Sequence, residues 1–277
     1  MRVSISQIKE MKQKGERITM ITSYDYSTAK IVDEVGVPMI LVGDSLGMVV
    51  LGYESTVFVT MDDMIHHTKA VVRATKHALV VGDMPFMSYQ IGVDDAVRNA
   101  GRFIQEAGAQ AIKLEGGVTV AEKVRRIVDC GIPVMGHIGL TPQSVLQFGG
   151  YKIQGKTPEG AVKLLEDAKA LEQAGAFAVL METVPAALAT LVTQKLTIPT
   201  IGIGAGPGCD GEVQVINDTL GLYTEFVPKH AKQYAKLGEI IKQAVTEYYS
   251  EVKARKFPTE KHSFTMDESI LADLKNR

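Results

Sequence analysis

Five apolar runs in this chain each stop at a side chain that can do chemistry. Met39-Ile-Leu-Val42 leads through Gly43 to Asp44 and Ser45, and Leu79-Val-Val-Gly-Asp83 ends in an acid. Ala111-Ile-Lys-Leu-Glu115 carries a base and an acid, Val134-Met-Gly-His137 an imidazole, and Ala178-Val-Leu-Met-Glu182 a further acid. Strands buried on both faces do not end in ionisable groups unless those groups have partners there. The repetition predicts one shared site at the carboxyl ends of a parallel sheet.

These residue types suit metal-assisted carbonyl chemistry. Asp44, Asp83 and Glu115 offer only hard oxygen donors, which favour Mg2+, or Mn2+ in its place, with positions left for water and substrate. No His-x3-His or Cys-x2-Cys spacing argues for zinc. A purely structural alternative pairs the acids with Lys113 or spends them on helix caps. Under the metal reading, a 2-oxo acid is chelated through its keto and carboxylate oxygens, and charge arriving on the keto oxygen is stabilised. Glu182 is the expected base for the adjacent carbon, because the apolar approach Phe177-Ala-Val-Leu-Met181 should raise its pKa. Lys113 would neutralise the substrate carboxylate or the developing enolate, and Ser45 would donate a hydrogen bond to the carboxylate. For His137 a catalytic and a hydrogen-bonded structural role both stand.

Alternating strands and helices must position this set. Strands are predicted at Arg17–Ser23, Met39–Asp44, Leu79–Asp83, Ala111–Glu115, Pro133–His137, Phe177–Glu182, Thr197–Ile203 and near Val213–Asp218. Helices lie between them, among them one from Met61 to Lys76 capped by Thr60, and one that Pro185 opens at its first position. An amphipathic helix carrying Tyr234, Leu237, Ile240, Ile241, Ala244, Val245 and Tyr248 follows the last strand. Eight such units in about 250 residues fit a (β/α)8 barrel with its site at the strands' carboxyl ends. A doubly wound open sheet is the runner-up, but five active strand ends converge more readily in a closed barrel.

A first helix over Ser4–Lys14, with Ser4 and Gln7 spaced as a capping box, is expected to close the barrel's amino-terminal end. Residues 1–253 read as a single barrel domain. Residues 254–277 read as a tail, mobile or packed on a neighbouring subunit, with a short helix over Met266–Leu274. The long stretches 46–60 and 138–157 read as a lid and a binding loop.

With 30 basic and 32 acidic residues among 277, the chain shows no basic stripe for nucleic acid. Two cysteines without metal spacing, Cys130 and Cys209, suit a reducing compartment, and no signal-peptide pattern opens the chain. No apolar run approaches the roughly 20 residues of a membrane span. A cytoplasmic protein is expected. Gly202-x-Gly-x-Gly206 has the wrong spacing for a dinucleotide fingerprint. The loop 202–211 could cradle a phosphate or admit a flat ring against bare backbone. His66-His67 reads as surface or packing.

Several runs together resemble the ketopantoate hydroxymethyltransferase family: Thr22-Ser-Tyr-Asp25, Leu41-Val-Gly-Asp-Ser-Leu-Gly47, Val81-Gly-Asp-Met-Pro-Phe86, Ile112-Lys-Leu-Glu-Gly116, Met135-Gly-His-Ile-Gly-Leu-Thr-Pro-Gln143, Val179-Leu-Met-Glu182 and Ile201-Gly-Ile-Gly-Ala-Gly206. The resemblance implies a barrel of the phosphoenolpyruvate/pyruvate type, a homodecamer of two pentameric rings, and Mg2+. It also implies transfer of a one-carbon unit from 5,10-methylenetetrahydrofolate to 3-methyl-2-oxobutanoate. By motif, Asp44, Asp83 and Glu115 correspond to the metal-site acids, Glu115 acting through water. Ser45, Asp83 and Lys113 correspond to contacts of the oxo acid, with Asp44 and His137 beside it, and Glu182 to the proton acceptor. The loops 46–60, 138–157 and 202–211 are expected to shape the pterin site. A Mg2+-dependent carbon–carbon lyase of the same superfamily is the alternative. It calls for a reactive cysteine or an arginine clamp, and Ile138–Thr157 contains neither. A non-catalytic barrel that binds a small anion is the rival of another class.

Overall fold

The computed structural model describes residues 2–275; Met1 and residues 276–277, the outer ends of the expected barrel and tail segments, lie outside the described residues. Helix α1 (Ile5–Lys14) starts at the expected capping box, Ser4 Oγ accepting the Gln7 N–H and the Gln7 side chain accepting the Ser4 N–H. Its buried Ile8 inserts among Ile18, Met20, Met39 and Leu79 and plugs the amino-terminal end of the barrel.

The strands are β1 (Ile18–Thr22), β2 (Met39–Val42), β3 (Leu79–Asp83), β4 (Ala111–Glu115), β5 (Val134–Gly139), β6 (Ala178–Glu182), β7 (Thr200–Ile203) and β8 (Gly211–Gln214). Between and after them run α2 (Tyr26–Val35), α3 (Leu46–Val49), α4 (Met61–Ala74), α5 (Val93–Gln105), α6 (Ala121–Asp129), α7 (Val145–Phe148), α8 (Pro158–Gln173), α9 (Ala186–Lys195), α10 (Ile216–Thr219), α11 (Leu237–Lys253) and α12 (Glu268–Lys275). All neighbouring strands are parallel, and β8 closes on β1 with Ile18 opposite Gly211. The closed (β/α)8 barrel is therefore the fold, and the open sheet is not.

Strand alternation sorts the apolar side chains into two cores. Met20, Leu41, Val81, Met135 and Leu180 fill the barrel, while Ile40, Val80, Ile112, Val134 and Val179 meet the helices outside. A Cβ at Gly82 would collide with the Phe103 ring, so the glycine lets α5 lie close against β3.

Several elements differ from the sequence reading. No helix lies between β7 and β8, which residues 204–210 join directly. The last strand is Gly211–Gln214, because Thr22 Oγ1 accepts the Ile216 N–H and turns the chain into α10. Pro185 is the N-cap of α9 rather than its first residue. The stretch 46–60 is no free lid: it holds α3 and a short 3-10 turn at Thr56–Phe58, with Leu46, Thr56 and Val59 buried. Finally, the amphipathic helix after β8 does not cover its own barrel. None of the 17 residues of α11 is buried, and Thr19 on β1 is exposed where an eighth helix would lie. No helix among the described residues is long and apolar enough to cross a membrane.

Candidate active site

The ladder register builds the first ion pairs. Asp83 lies opposite Lys113 on the neighbouring strand, and Glu115 opposite His137. All four share the inward face with Val81, Ala111 and Met135, so they meet at the carboxyl mouth of the barrel. Lys113 Nζ sits 2.7 Å from Asp83 Oδ1 and 4.0 Å from Glu115 Oε1. His137 places Nδ1 3.4 Å from Glu115 Oε1 and Nε2 3.3 Å from Glu182 Oε2. Asp44, Asp83, Lys113, Glu115 and His137 are buried, whereas the Glu182 side chain keeps 18% exposure toward the cavity.

Burial and the charges of Asp83 and Glu115 push the Asp44 carboxyl well above the usual carboxylate range. Burial raises Asp83 too, against the opposing pull of Lys113. Burial acts to lower the Lys113 ammonium, but Asp83, Glu115 and Asp44 outweigh it and hold the proton on. For His137, burial and the Lys113 charge act downward, yet hydrogen bonding to Glu115 and Glu182 carries it up to about 9. The imidazole thus lies between two acids that favour its protonated form, and its Nδ1 also comes within 3.2 Å of Lys113 Nζ.

The structure brings every sequence-predicted site residue to this one mouth, and adds some that the sequence reading missed. Gln143, from the loop after β5, donates through Nε2 to Asp44 Oδ2 and to the Met84 carbonyl, both at 2.9 Å. Its backbone N–H donates to Glu115 Oε2 at 3.0 Å. Tyr89 OH donates to Gln143 Oε1 at 2.7 Å and accepts the Glu115 N–H at 3.1 Å, which fixes which way round the amide lies. Tyr24 OH lies 2.8 Å from Ser45 Oγ, and His67 Nδ1 holds the Tyr24 carbonyl at 2.6 Å, in keeping with a packing role for that histidine. Tyr24 and Gln143 stand within the runs that carry the family resemblance; no spacing rule links either to its partner.

The mouth opens into a cavity of about 500 Å³. Met48, Val49 and Thr56 from the stretch 46–60, and Leu140, Pro142 and Tyr151 from the stretch 138–157, line it. Of the glycine-rich stretch 202–211 only Ile203 lines it, while a wall unassigned by the sequence reading comes from residues 213–230. Among the described residues neither Cys nor Arg lines this cavity, which removes the groups that the lyase reading requires.

Among the described residues no three His, Cys, Asp or Glu side chains form a ready ligand cluster. Asp44 and Asp83 adjoin, the Asp44 N–H donating to Asp83 Oδ2 at 3.0 Å, but Glu115 is turned toward Gln143, His137 and Lys113. The three acids are therefore not one preformed ligand set. A divalent cation nevertheless fits. The carboxylates of Asp44, Asp83, Glu115 and Glu182 outnumber the cationic groups of Lys113 and His137, and all offer hard oxygen donors.

The chain is similar to proteins of known structure and of known name. Solved structures of similar shape include a phosphonopyruvate hydrolase (TM-score 0.61, 12% identity, covering 100% of this chain and 96% of that one). Another is 2,3-dimethylmalate lyase, a member of the PEP mutase/isocitrate lyase superfamily (TM-score 0.57, 18% identity, full coverage of both chains). At such identities these show the fold alone. Proteins named 3-methyl-2-oxobutanoate hydroxymethyltransferase are far closer in sequence. That of Dehalococcoides mccartyi is 64% identical over 275 residues, 99% of each chain. That of Clostridium botulinum is 59% identical over 274 residues, 99% of this chain and 100% of the other. That of Syntrophus aciditrophicus is 61% identical over 263 residues, 95% of this chain and 97% of the other. The family model for ketopantoate hydroxymethyltransferase matches residues 2–260, and with relatives this similar along their whole length the chain belongs to that family.

Proposed function

We propose that the enzyme moves a one-carbon unit from 5,10-methylenetetrahydrofolate to 3-methyl-2-oxobutanoate, forming 2-dehydropantoate. The observation that carries this reading is the position of Glu182, an acid at the edge of the polar mouth, opposite Asp44 and Asp83 and open to the cavity. Mg2+ held by Asp44 and Asp83, with Glu115 close by, would supply Lewis acidity at the keto oxygen. Lys113 offsets negative charge on the bound oxo acid, and Ser45 donates to its carboxylate. Glu182 accepts the proton from C3, and His137, with Nε2 3.3 Å from Oε2, holds its carboxylate in place. A bond then joins C3 to the one-carbon unit as its two bonds to the folate nitrogens break, water supplies the hydroxyl, and one proton from C3 and one from water end on those nitrogens.

Deuterium exchange at C3 of 3-methyl-2-oxobutanoate tests the reading without the folate. Mg2+-dependent exchange is expected in the wild type and near-total loss in Glu182→Gln, with oxo-acid binding retained. Undiminished exchange in Glu182→Gln rejects Glu182 as the base.

A cytoplasmic homo-oligomer, with a decamer as the expected form, belongs to the same proposal. The exposed apolar stripe of α11, with Ile240, Ile241, Val245 and Tyr248, supports assembly, as does the uncovered outer face at Thr19. Sedimentation should give a multiple of the chain mass that falls in Ile241→Glu combined with Val245→Glu. A monomeric wild type rules assembly out.

A further inference from the structure

The cavity has a second end that the oxo acid's chemistry leaves unused. Ile203, Val213, Val215, Tyr223, Phe226 and Pro228 line most of it, with Gln214, Lys229 and His230 among them. One acid stands in that wall. Asp218, on α10, is only 6% exposed and lines the cavity. Its carboxylate has no hydrogen-bond or ion-pair partner among the described residues, and burial alone lifts it to about 6. The buried acids at the polar end are all bonded: Asp44 to Gln143, Asp83 to Lys113 and the Asp44 amide, Glu115 to the Gln143 amide. The groups that feel the Asp218 charge, Tyr24 and Tyr223, both have hydroxyls engaged elsewhere, with Ser45 and Glu225.

A desolvated carboxylate without a partner is costly, and the cost is recovered only when something arrives with N–H donors. The aromatic and aliphatic lining of this end and its unpaired acid suit a flat ring with an edge bearing two adjacent donors. A 2-amino-4-oxopyrimidine edge, with its ring N3–H beside an exocyclic amine, matches a carboxylate in the paired manner of a guanidinium. The one-carbon donor of the proposed reaction carries that edge on its pterin. Resting on the functional reading above, we infer that Asp218 is the pterin-recognising residue, accepting both N–H groups while the apolar wall holds the ring. The methylene carbon would then point from this end toward Glu182. A site built around such a carboxylate discriminates strongly against analogues that lack the donors.

The test compares two readouts in the full-length enzyme. In Asp218→Asn, which replaces one acceptor oxygen by a donor, KM for 5,10-methylenetetrahydrofolate should rise by about 10- to 100-fold, the usual worth of hydrogen bonds to a charged group. C3 deuterium exchange of 3-methyl-2-oxobutanoate, which needs no folate, should stay within about twofold. The 2-desamino-2-methyl analogue of the folate should bind the wild type worse by a similar factor and the variant no worse than the parent folate does. Asp218→Ser repeats the comparison should the Asn protein not fold. A wild-type KM in both variants overturns the inference and leaves the functional reading intact. So does an exchange rate that falls in step with turnover, since that assigns Asp218 a structural role. A wild-type enzyme that exchanges C3 but cannot use the folate overturns the functional reading, and this inference with it.

Discussion

Replacing Gln143 by leucine keeps the volume of the side chain and removes four hydrogen bonds at once. Half-buried Gln90 Nε2 loses its acceptor at 3.3 Å. Asp44 Oδ2 and the Met84 carbonyl each lose a donor at 2.9 Å, and Tyr89 OH loses its acceptor at 2.7 Å. These last three lie in buried surroundings, where a polar group left unpaired costs about 1–3 kcal/mol. Allowing for relaxation, the fold should weaken by about 3 kcal/mol, which lowers Tm by roughly 6 °C in a chain of this size. The functional effect follows from Asp44, whose carboxylate is otherwise pinned by that amide against the repulsion of Asp83 and Glu115. Mg2+-dependent C3 exchange should fall by about 10- to 100-fold and require more Mg2+ for half its rate, a loss of the size expected for one supporting contact. Thermal melts and Mg2+ titrations of the exchange rate read both effects. Tyr89→Phe should do less alone and should not add to Gln143→Leu, because the two side chains form one unit. An unaltered Mg2+ requirement in Gln143→Leu, or strict additivity of the pair, refutes the clamp.

Lys113→Met leaves Asp83 as a buried charge without its 2.7 Å partner and should cost about 3–5 kcal/mol in urea unfolding. Mg2+ should raise Tm on its own, by the equivalent of about 2.7 kcal/mol at a hundred times its Kd. EDTA should remove the gain, and no gain at all argues against a cation among these acids. Asp33 accepts the N–H groups of Lys76, His77 and Ala78 at 2.7–3.1 Å. Burial acts to raise its carboxyl, but those donors and Arg2 outweigh it and hold it below the usual range. Its contribution is therefore present above the unfolded value of about 3.9 and fades as pH falls through the lower folded one. Asp33→Asn should melt earlier than wild type at pH 7, with the gap closing below about pH 4.

The strand-end acids were readable because two periodicities agree. Inward positions repeat every second residue, so Asp83, Lys113, Glu115 and His137 inherit the orientation of Val81, Ala111 and Met135. A closed parallel barrel then puts adjacent strand ends side by side. The Gln143–Tyr89 clamp was not readable, since it joins two loops to a residue 99 positions away and depends on how those loops cross the mouth. Beyond the short strand predicted near Val213–Asp218 the wall at 213–230 has no period, and nothing in the sequence says that Asp218 turns into a cavity. Helix α11 shows a third kind of limit. Its apolar stripe was plain in the sequence, but a stripe says that something must cover it and not what.

The stretch linking β8 to α11 has two duties. It furnishes the wall where Tyr223, Phe226 and His230 face the cavity, and it is the tether by which the uncovered helix reaches outward. The oxo-acid half of the cleft hangs on the rigid staves β2–β6 and is indifferent to where that tether leads. The other half takes its shape from a strap whose two ends are tied together where α11 begins, Leu237 and Gly238 donating to the Leu220 and Gly221 carbonyls. On the assembly and the pterin site proposed above, subunit docking and capture of the larger substrate would share one length of backbone.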